Sequence, residues 1–177
     1  MTVQNSQPDP HIDAVIARMA DELRTRFENK AENIKLKDAL MIGIHTGGVW
    51  VAERLHAQLG IKQALGKLDI SFYRDDFSRI GMNPQVKPSQ LPTTVDDSHI
   101  ILVDDILHTG RTIRAALNEI FDYGRPASVT LVVLGERSGR ELPIQADVVG
   151  QHLSLGEHEH AKLTGPEPLR LEVVEAP

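Results

Sequence analysis

Cysteine is absent from all 177 residues, so no disulfide or thiolate metal site can form, and a reducing compartment suits the chain. Long apolar runs are missing too: nothing approaches the roughly 18 to 20 residues that a membrane span needs. The opening MTVQNSQPDP is polar and lacks the apolar stretch of a secretory signal. An excess of positive charge is also lacking. Lys and Arg number 19 against 25 Asp and Glu, a formal charge of −6, which does not suit a dedicated nucleic-acid binder whose affinity rests on neutralising phosphates. A local basic face remains compatible with that sum. Together these absences predict a soluble, cytoplasmic protein with no membrane partner.

What is present suffices for one sizeable core: 41% apolar and 25% charged residues over a length that suits one domain. Residues 1–10 read as a flexible tail and 11–177 as a single domain. Ile12, Val15, Ile16, Met19, Leu23 and Phe27 recur at helical spacing, which predicts a helix over 12–29 with Arg18, Arg24 and Arg26 on its solvated face. ALMIGIH (39–45) reads as a strand, TGG as a turn, and VWVAERLHAQLG as a helix stopped by Gly60. LDISFY (68–73) alternates like a strand. The 25 residues after it (74–98) contain three prolines and a glycine, a length that inside a compact domain points to a lid or binding loop. HIILVD (99–104) is a strand, TIRAALNEIFDYG (112–124) a helix ended by Gly124, and SVTLVVLG (128–135) a strand. DVVG (147–150) and LRLEVVE (169–175) are shorter strand candidates.

Continuously apolar strands alternating with helices predict an α/β fold: a mainly parallel central sheet with helices on both faces. Such sheets bind ligands beyond the carboxyl ends of their strands, at a topological switch point. HTGG, the long loop and DDILHTGRT each follow a strand, so they should share one edge of the sheet.

The stretch IILVDDILHTGRT (100–112) is the most informative. Asp104 and Asp105 stand where the apolar run stops, and two ionised carboxylates are costly to bury without partners. They are therefore expected at the rim, where they can accept from vicinal hydroxyls or sit beside a hydrated cation. Thr109, Gly110 and Thr112 then supply hydroxyls, a flexible turn and a helix N-terminus, a setting that suits an anion. The plainer alternative is a solvated Asp-Asp loop with Thr112 as a helix cap.

This combination resembles the phosphoribosyl pyrophosphate (PRPP) signature of the type I phosphoribosyltransferases: an apolar strand, two acids and a short T-G-x-T turn. The resemblance implies that Asp104 and Asp105 grip the ribose and act in catalysis. It places the nucleotide phosphate against Ile106, Leu107, His108, Thr109, Gly110, Arg111 and Thr112. His45, Thr46, Gly47 and Gly48 would hold pyrophosphate through backbone N–H groups. Mg²⁺ would arrive with PRPP, with no metal bound directly by the protein. LDISFYRDD (68–76), YGRP (123–126) and RELPIQADVVG (140–150) extend the likeness to the PyrR family, pyrimidine operon regulators that are also uracil phosphoribosyltransferases. That family implies conversion of uracil and PRPP to UMP and pyrophosphate, a small hood, and a mobile loop. It also implies a homodimer or higher oligomer.

Within that resemblance Arg74 is a catalytic candidate that meets diphosphate charge, or a surface arginine pairing with Asp75 or Asp76. Arg137 belongs to the base hood, or to a rim salt bridge. Two departures stand out. The family's K-T-R-G is here His45-Thr46-Gly47-Gly48, which removes an arginine from the diphosphate loop. Its D-R-G-H-R-E-L-P is here Glu136 to Pro143, with Gly139 in place of histidine near the expected RNA-binding face. With the net charge, this weakens RNA as a partner and leaves a competing reading: a nucleotide-sensing regulator with weak or no transferase activity. His158-Glu159-His160 is expected to face water rather than bind a metal, and Trp50, Val51 and Leu55 to pack on the sheet or a subunit interface.

Overall fold

The structure, a computed structural model, describes residues 10–30, 34–71, 89–92 and 94–175. Helix α1 spans Pro10–Glu28 and so claims the last residue of the expected tail. Proline suits a first helical position, because the N–H it lacks would have had no partner inside the helix. Residues 1–9 lie outside the described residues. Ile12, Val15, Ile16, Met19, Leu23 and Phe27 are all buried, as one apolar stripe of α1 requires. Helix α2 is Gly47–Leu59, closed by Gly60 in the left-handed conformation, and α3 is Arg111–Tyr123. Among the described residues no helix is long and apolar enough to cross a membrane.

Strands β1 (Leu40–Ile44), β2 (Gly66–Leu68), β3 (His99–Leu107), β4 (Ser128–Arg137) and β5 (Val148–Leu153) form one parallel sheet in the order β2-β1-β3-β4-β5. Alternate side chains feed two cores. Met41, Ile101, Val103, Val132 and Leu134 pack with α1 and with Val51 and Leu55 of α2. Leu40, Ile42, Ile100, Leu102, Leu131 and Val133 pack with Ile113, Ala116 and Ile120 of α3. Both faces are covered, which is why these strands read as unbroken apolar runs instead of alternating ones.

A separate antiparallel pair, β6 (Glu159–Thr164) and β7 (Arg170–Glu175), lies on the α1/α2 side. Leu163 of β6 and Leu169, just before β7, join that core, Trp50 packs against it, and Arg54 of α2 bridges Asp13 at 2.6 Å and Glu167 at 3.2 Å. Strand β6 was not expected from the sequence, because only Leu163 of its six residues is buried.

Several strand boundaries also differ from expectation: β4 runs on to Arg137 and β5 to Leu153, and two others bear on the site. LDISFY is not a strand over 68–73: pairing with β1 stops at Leu68, and the Asp69 carboxylate accepts the Ser71 N–H at 2.9 Å, which turns the chain out of the ladder. Residues 72 and 73 lie outside the described residues. Strand β3 does not end at 104, because β4 is long enough to pair Ile106 with Gly135 and Leu107 with Glu136. The three arginines of α1 face the surface but are not idle. Arg18 donates to the Gly150 carbonyl, Arg24 pairs with Asp21 at 2.6 Å, and Arg26 with Asp147 at 3.0 Å.

Candidate active site

The chain leaves β1 through α2 to reach β2 on one side, then returns to place β3 on the other side of β1. The connections therefore diverge between the carboxyl ends of β1 and β3, and a crevice opens there. Residues 45–48 flank it from β1 and residues 104–112 from β3.

Asp104 is not at an open rim. It pairs with Val133 inside the ladder and is only 3% exposed, while Asp105 is half-buried. The expected cost of such burial is met locally. Asp104 Oδ1 accepts the Asp105 N–H at 2.9 Å, and Asp105 Oδ1 accepts the Ile106 N–H at 2.7 Å. Each carboxylate is thus tied to the next amide, which satisfies one lone pair and fixes its direction.

The turn after β1 passes through a cis peptide between His45 and Thr46 and enters α2 at Gly47. Gly48 is packed so tightly on β3 that a Cβ would lie 2.6 Å from the Val103 carbonyl oxygen and 3.0 Å from Asp104 Cα. A Cβ on Gly47 would instead overlap the Asp105 carboxylate, with Cγ at 2.8 Å. The resemblance implied that these residues hold pyrophosphate through backbone N–H groups, which calls for small side chains and close approach. For Gly48 the sheet itself already demands it.

The turn after β3 is built differently. Gly110 precedes α3 with φ 92, a conformation that favours glycine, and Thr109 Oγ1 accepts the Arg111 N–H at 3.2 Å. The segment after β4 props this turn from outside. The N–H groups of Glu141 and Leu142 donate to the Thr109 carbonyl at 3.0 and 3.1 Å, Arg140 donates to the His108 carbonyl, and Arg111 Nε meets Glu141 Oε2 at 2.7 Å. His108 faces Gly139, whose Cβ would lie 2.8 Å from Nε2. A side chain at 139 would therefore meet the His108 imidazole. Burial, then the positive Arg137, holds the His108 pKa below its ordinary 6.5; Glu141 opposes this, and His160 and Arg140 reinforce it.

The crevice thus gathers His45, Thr46, Gly47, Gly48, Asp104, Asp105 and the 106–112 run. Arg137 ends β4 one residue beyond the Leu107–Glu136 pair and donates to the Glu159 carbonyl at 3.0 Å, while its buried Nε has no hydrogen-bond partner. It borders a cleft of about 260 Å³ with Ser138, Arg140 and His152. Arg74, and the start of the loop that carries it, lie outside the described residues. Sequence reasoning missed Arg140 and Glu141 as clamps on the turn after β3. Their signal was the charged pair in RELP, legible only once β4 is known to lie beside β3. Among the described residues no group of three or more His, Asp or Glu side chains could hold a metal ion.

A model of the phosphoribosyl transferase domain matches residues 11–161. The chain belongs to the phosphoribosyl transferase family. This phosphoribosyltransferase is 64% identical over 165 residues to the bifunctional protein PyrR of Nitrosococcus oceani, covering 92% of this chain and 91% of that protein. It is 56% identical over 167 residues to the bifunctional protein PyrR of Pseudomonas aeruginosa, covering 94% and 95%. It is therefore also a member of the PyrR family. In fold it is similar to the purine phosphoribosyltransferase of Pyrococcus horikoshii (TM-score 0.60, 22% identity, 81% of this chain and 84% of that one). A hypoxanthine phosphoribosyltransferase of Staphylococcus aureus is similar as well (TM-score 0.62, 16% identity, 87% and 78%).

Proposed function

We propose that this phosphoribosyltransferase of the PyrR family joins uracil to the phosphoribosyl group of PRPP, yielding UMP and pyrophosphate, in the cytoplasm. Residues 11–177 act as one catalytic domain in a homodimer or larger assembly. The observation that carries the reading is the convergence of two helix-opening turns and two adjacent carboxylates on one switch point. The carboxylates accept from the ribose hydroxyls. The 109–112 turn takes the 5′-phosphate on hydroxyls and first-turn N–H groups of α3, and the 45–48 turn takes the diphosphate on those of α2.

No nucleophile of the protein is needed. As the anomeric bond to diphosphate stretches, positive charge grows on the sugar ring, and a fixed carboxylate beneath it stabilises that charge without having to reorient. Asp104 and Asp105, held by backbone amides, have that fixity. Mg²⁺ would arrive bound mainly through PRPP, with the carboxylates of Asp104 and Asp105 accepting from its coordinated waters rather than ligating it directly. When bound, Mg²⁺ offsets the charge of the departing diphosphate. Arg137, which borders the 260 Å³ cleft, is assigned to the base hood on the family resemblance. Arg74 is assigned to the diphosphate on the family resemblance alone.

Replacing Asp104 and Asp105 together with asparagine should lower UMP formation at saturating substrates by about 100-fold or more. An unchanged rate would remove the ribose-gripping role.

A second activity, binding of pyrimidine leader RNA in response to UMP, is favoured by the name that the relatives carry, since they are called bifunctional. Binding measured across a salt series separates the readings: specific RNA affinity should fall steeply as salt rises. Absence of binding at low salt would leave transfer alone.

A further inference from the structure

The turn after β3 is held by its carbonyl groups, and the segment after β4 supplies the donors. The Arg140 guanidinium donates to the His108 carbonyl, and the N–H groups of Glu141 and Leu142 donate to the Thr109 carbonyl at 3.0 and 3.1 Å. The peptides joining 108 to 109 and 109 to 110 are trans, so in each the carbonyl and the following N–H point in opposite directions. Strand order then decides where those N–H groups aim. Strand β4 lies on one side of β3 and β1 on the other. Carbonyls drawn toward the segment after β4 therefore turn the N–H groups of Thr109 and Gly110 toward the β1 side, where the crevice opens. The next amide, of Arg111, is already accepted by Thr109 Oγ1 at 3.2 Å, so the aim of the two before it matters most. Arg140 is itself fixed: its side chain is only 25% exposed, its Nη2 meets Glu136 Oε1 at 2.5 Å, and Glu136 Oε2 lies 3.2 Å from His152 Nδ1.

From this arrangement we infer that Arg140 is a positioning residue for the 5′-phosphate. By holding the His108 carbonyl from outside the crevice it aims the Thr109 N–H, and beside the 141 and 142 amides the Gly110 N–H, at the ligand's phosphate. The inference rests on the 109–112 turn being the phosphate seat. A guanidinium bonded to a carbonyl is a charge-assisted pair, stronger than an amide on the same acceptor. Donors set in advance need no reorganisation when an anion arrives, so affinity is kept that would otherwise go into ordering them. Arg140 thereby sets how strongly the protein prefers a nucleotide to the nucleoside that lacks the phosphate, without touching the ligand itself. Its forked geometry is what the task demands, because one guanidinium nitrogen holds the carbonyl while another is anchored on Glu136.

The test compares UMP with uridine, each titrated calorimetrically without pyrophosphate so that no turnover occurs. The unsubstituted protein, Arg140→Met, Arg140→Lys and Glu136→Ala would be measured. Arg140→Met should weaken UMP by about 10-fold and uridine by less than about 2-fold. Arg140→Lys keeps the charge but not the fork, so it should stay close to Arg140→Met; it also carries the test if the methionine variant folds poorly. Glu136→Ala removes a negative charge near an anion site, yet by releasing Arg140 it should weaken UMP by about 3-fold. The amide resonances of Thr109 and Gly110 should shift on adding UMP to the unsubstituted protein, and shift less in the Arg140 variants. Equal losses for UMP and uridine would overturn the inference, because the segment would then support the fold or the base. Full recovery in Arg140→Lys, or tighter UMP binding in Glu136→Ala, would overturn it in favour of charge alone. If the unsubstituted protein binds UMP no better than uridine, the phosphate seat itself falls and the aiming with it, whereas the other results overturn the aiming alone.

Discussion

The same tripeptide, His-Thr-Gly, ends β1 at residues 45–47 and β3 at residues 108–110, and each copy opens a helix at the same edge of the sheet. Physically they are unlike. The first turn is shaped by crowding: its glycines adopt ordinary backbone angles and are small because β3 and Asp105 occupy the neighbouring space. The second is shaped by conformation and support: Gly110 has φ 92, Thr109 Oγ1 accepts the Arg111 N–H, and Arg140 and Glu141 clamp the turn from the segment after β4. A glycine in a motif therefore does not disclose whether it serves space or backbone angle. The first turn is adapted to its neighbour across the crevice, the second to its own strand and the segment after β4.

The largest effect expected from this contrast is at Gly48. An alanine there forces its methyl against the Val103 carbonyl oxygen, and the neighbouring atom is backbone that cannot rotate away. Overpacking of this kind costs about 1 to 3 kcal/mol, read as a lower midpoint in denaturant unfolding. A variant as stable as the parent would mean that the start of α2 can lift off β3, and the account of the first turn as crowded would be wrong.

A smaller effect separates the two threonines. Thr109 Oγ1 accepts an amide hydrogen of the first turn of α3, whereas Thr46 precedes α2 without a side-chain cap. Threonine to valine at 109 should cost about 0.5 to 1 kcal/mol, and the same change at 46 close to nothing. Equal losses at both positions would erase the distinction between a turn braced by a threonine hydroxyl and one that is not.

Much of this was legible in the sequence because periodicity carries it. Ile12 to Phe27 recur at helical spacing, and the unbroken runs at 40–44 and 100–103 mark strands buried on both faces. The carboxylate pair and T-G-x-T turn were likewise placed at the right edge of the sheet. What escaped depends on neighbours distant in the chain. Asp104 was expected at the rim, because composition shows the cost of a buried carboxylate but not the Asp105 amide that offsets it. Strand β3 was cut short because its last residues, Asp105 to Leu107, pair only by virtue of a long β4. Strand β6 offers one buried side chain, too little for an apolar pattern. The closeness of Gly139 to His108 was likewise hidden, because the two belong to turns that follow different strands.

His108 supplies the smallest expected effect and the sharpest probe of the second turn. Its imidazole is partly withdrawn from water and faces Arg137, Arg140 and His160, against which Glu141 gives only partial relief. All but Glu141 disfavour the imidazolium, so the folded pKa lies below 6.5 while the unfolded chain keeps the ordinary value. The sign follows from proton counting. As pH falls below 6.5, the unfolded state takes up the proton first, so stability is fully present above that pH and declines through the window down to the folded pKa. His108→Gln removes this titration and keeps a polar side chain. Urea midpoints compared from about pH 7.5 to about pH 5 should fall less steeply for the variant than for the parent. Parallel slopes would show that the imidazole is as well solvated in the folded protein as in the unfolded chain, and that the segment from Arg137 to Glu141 does not close over the second turn.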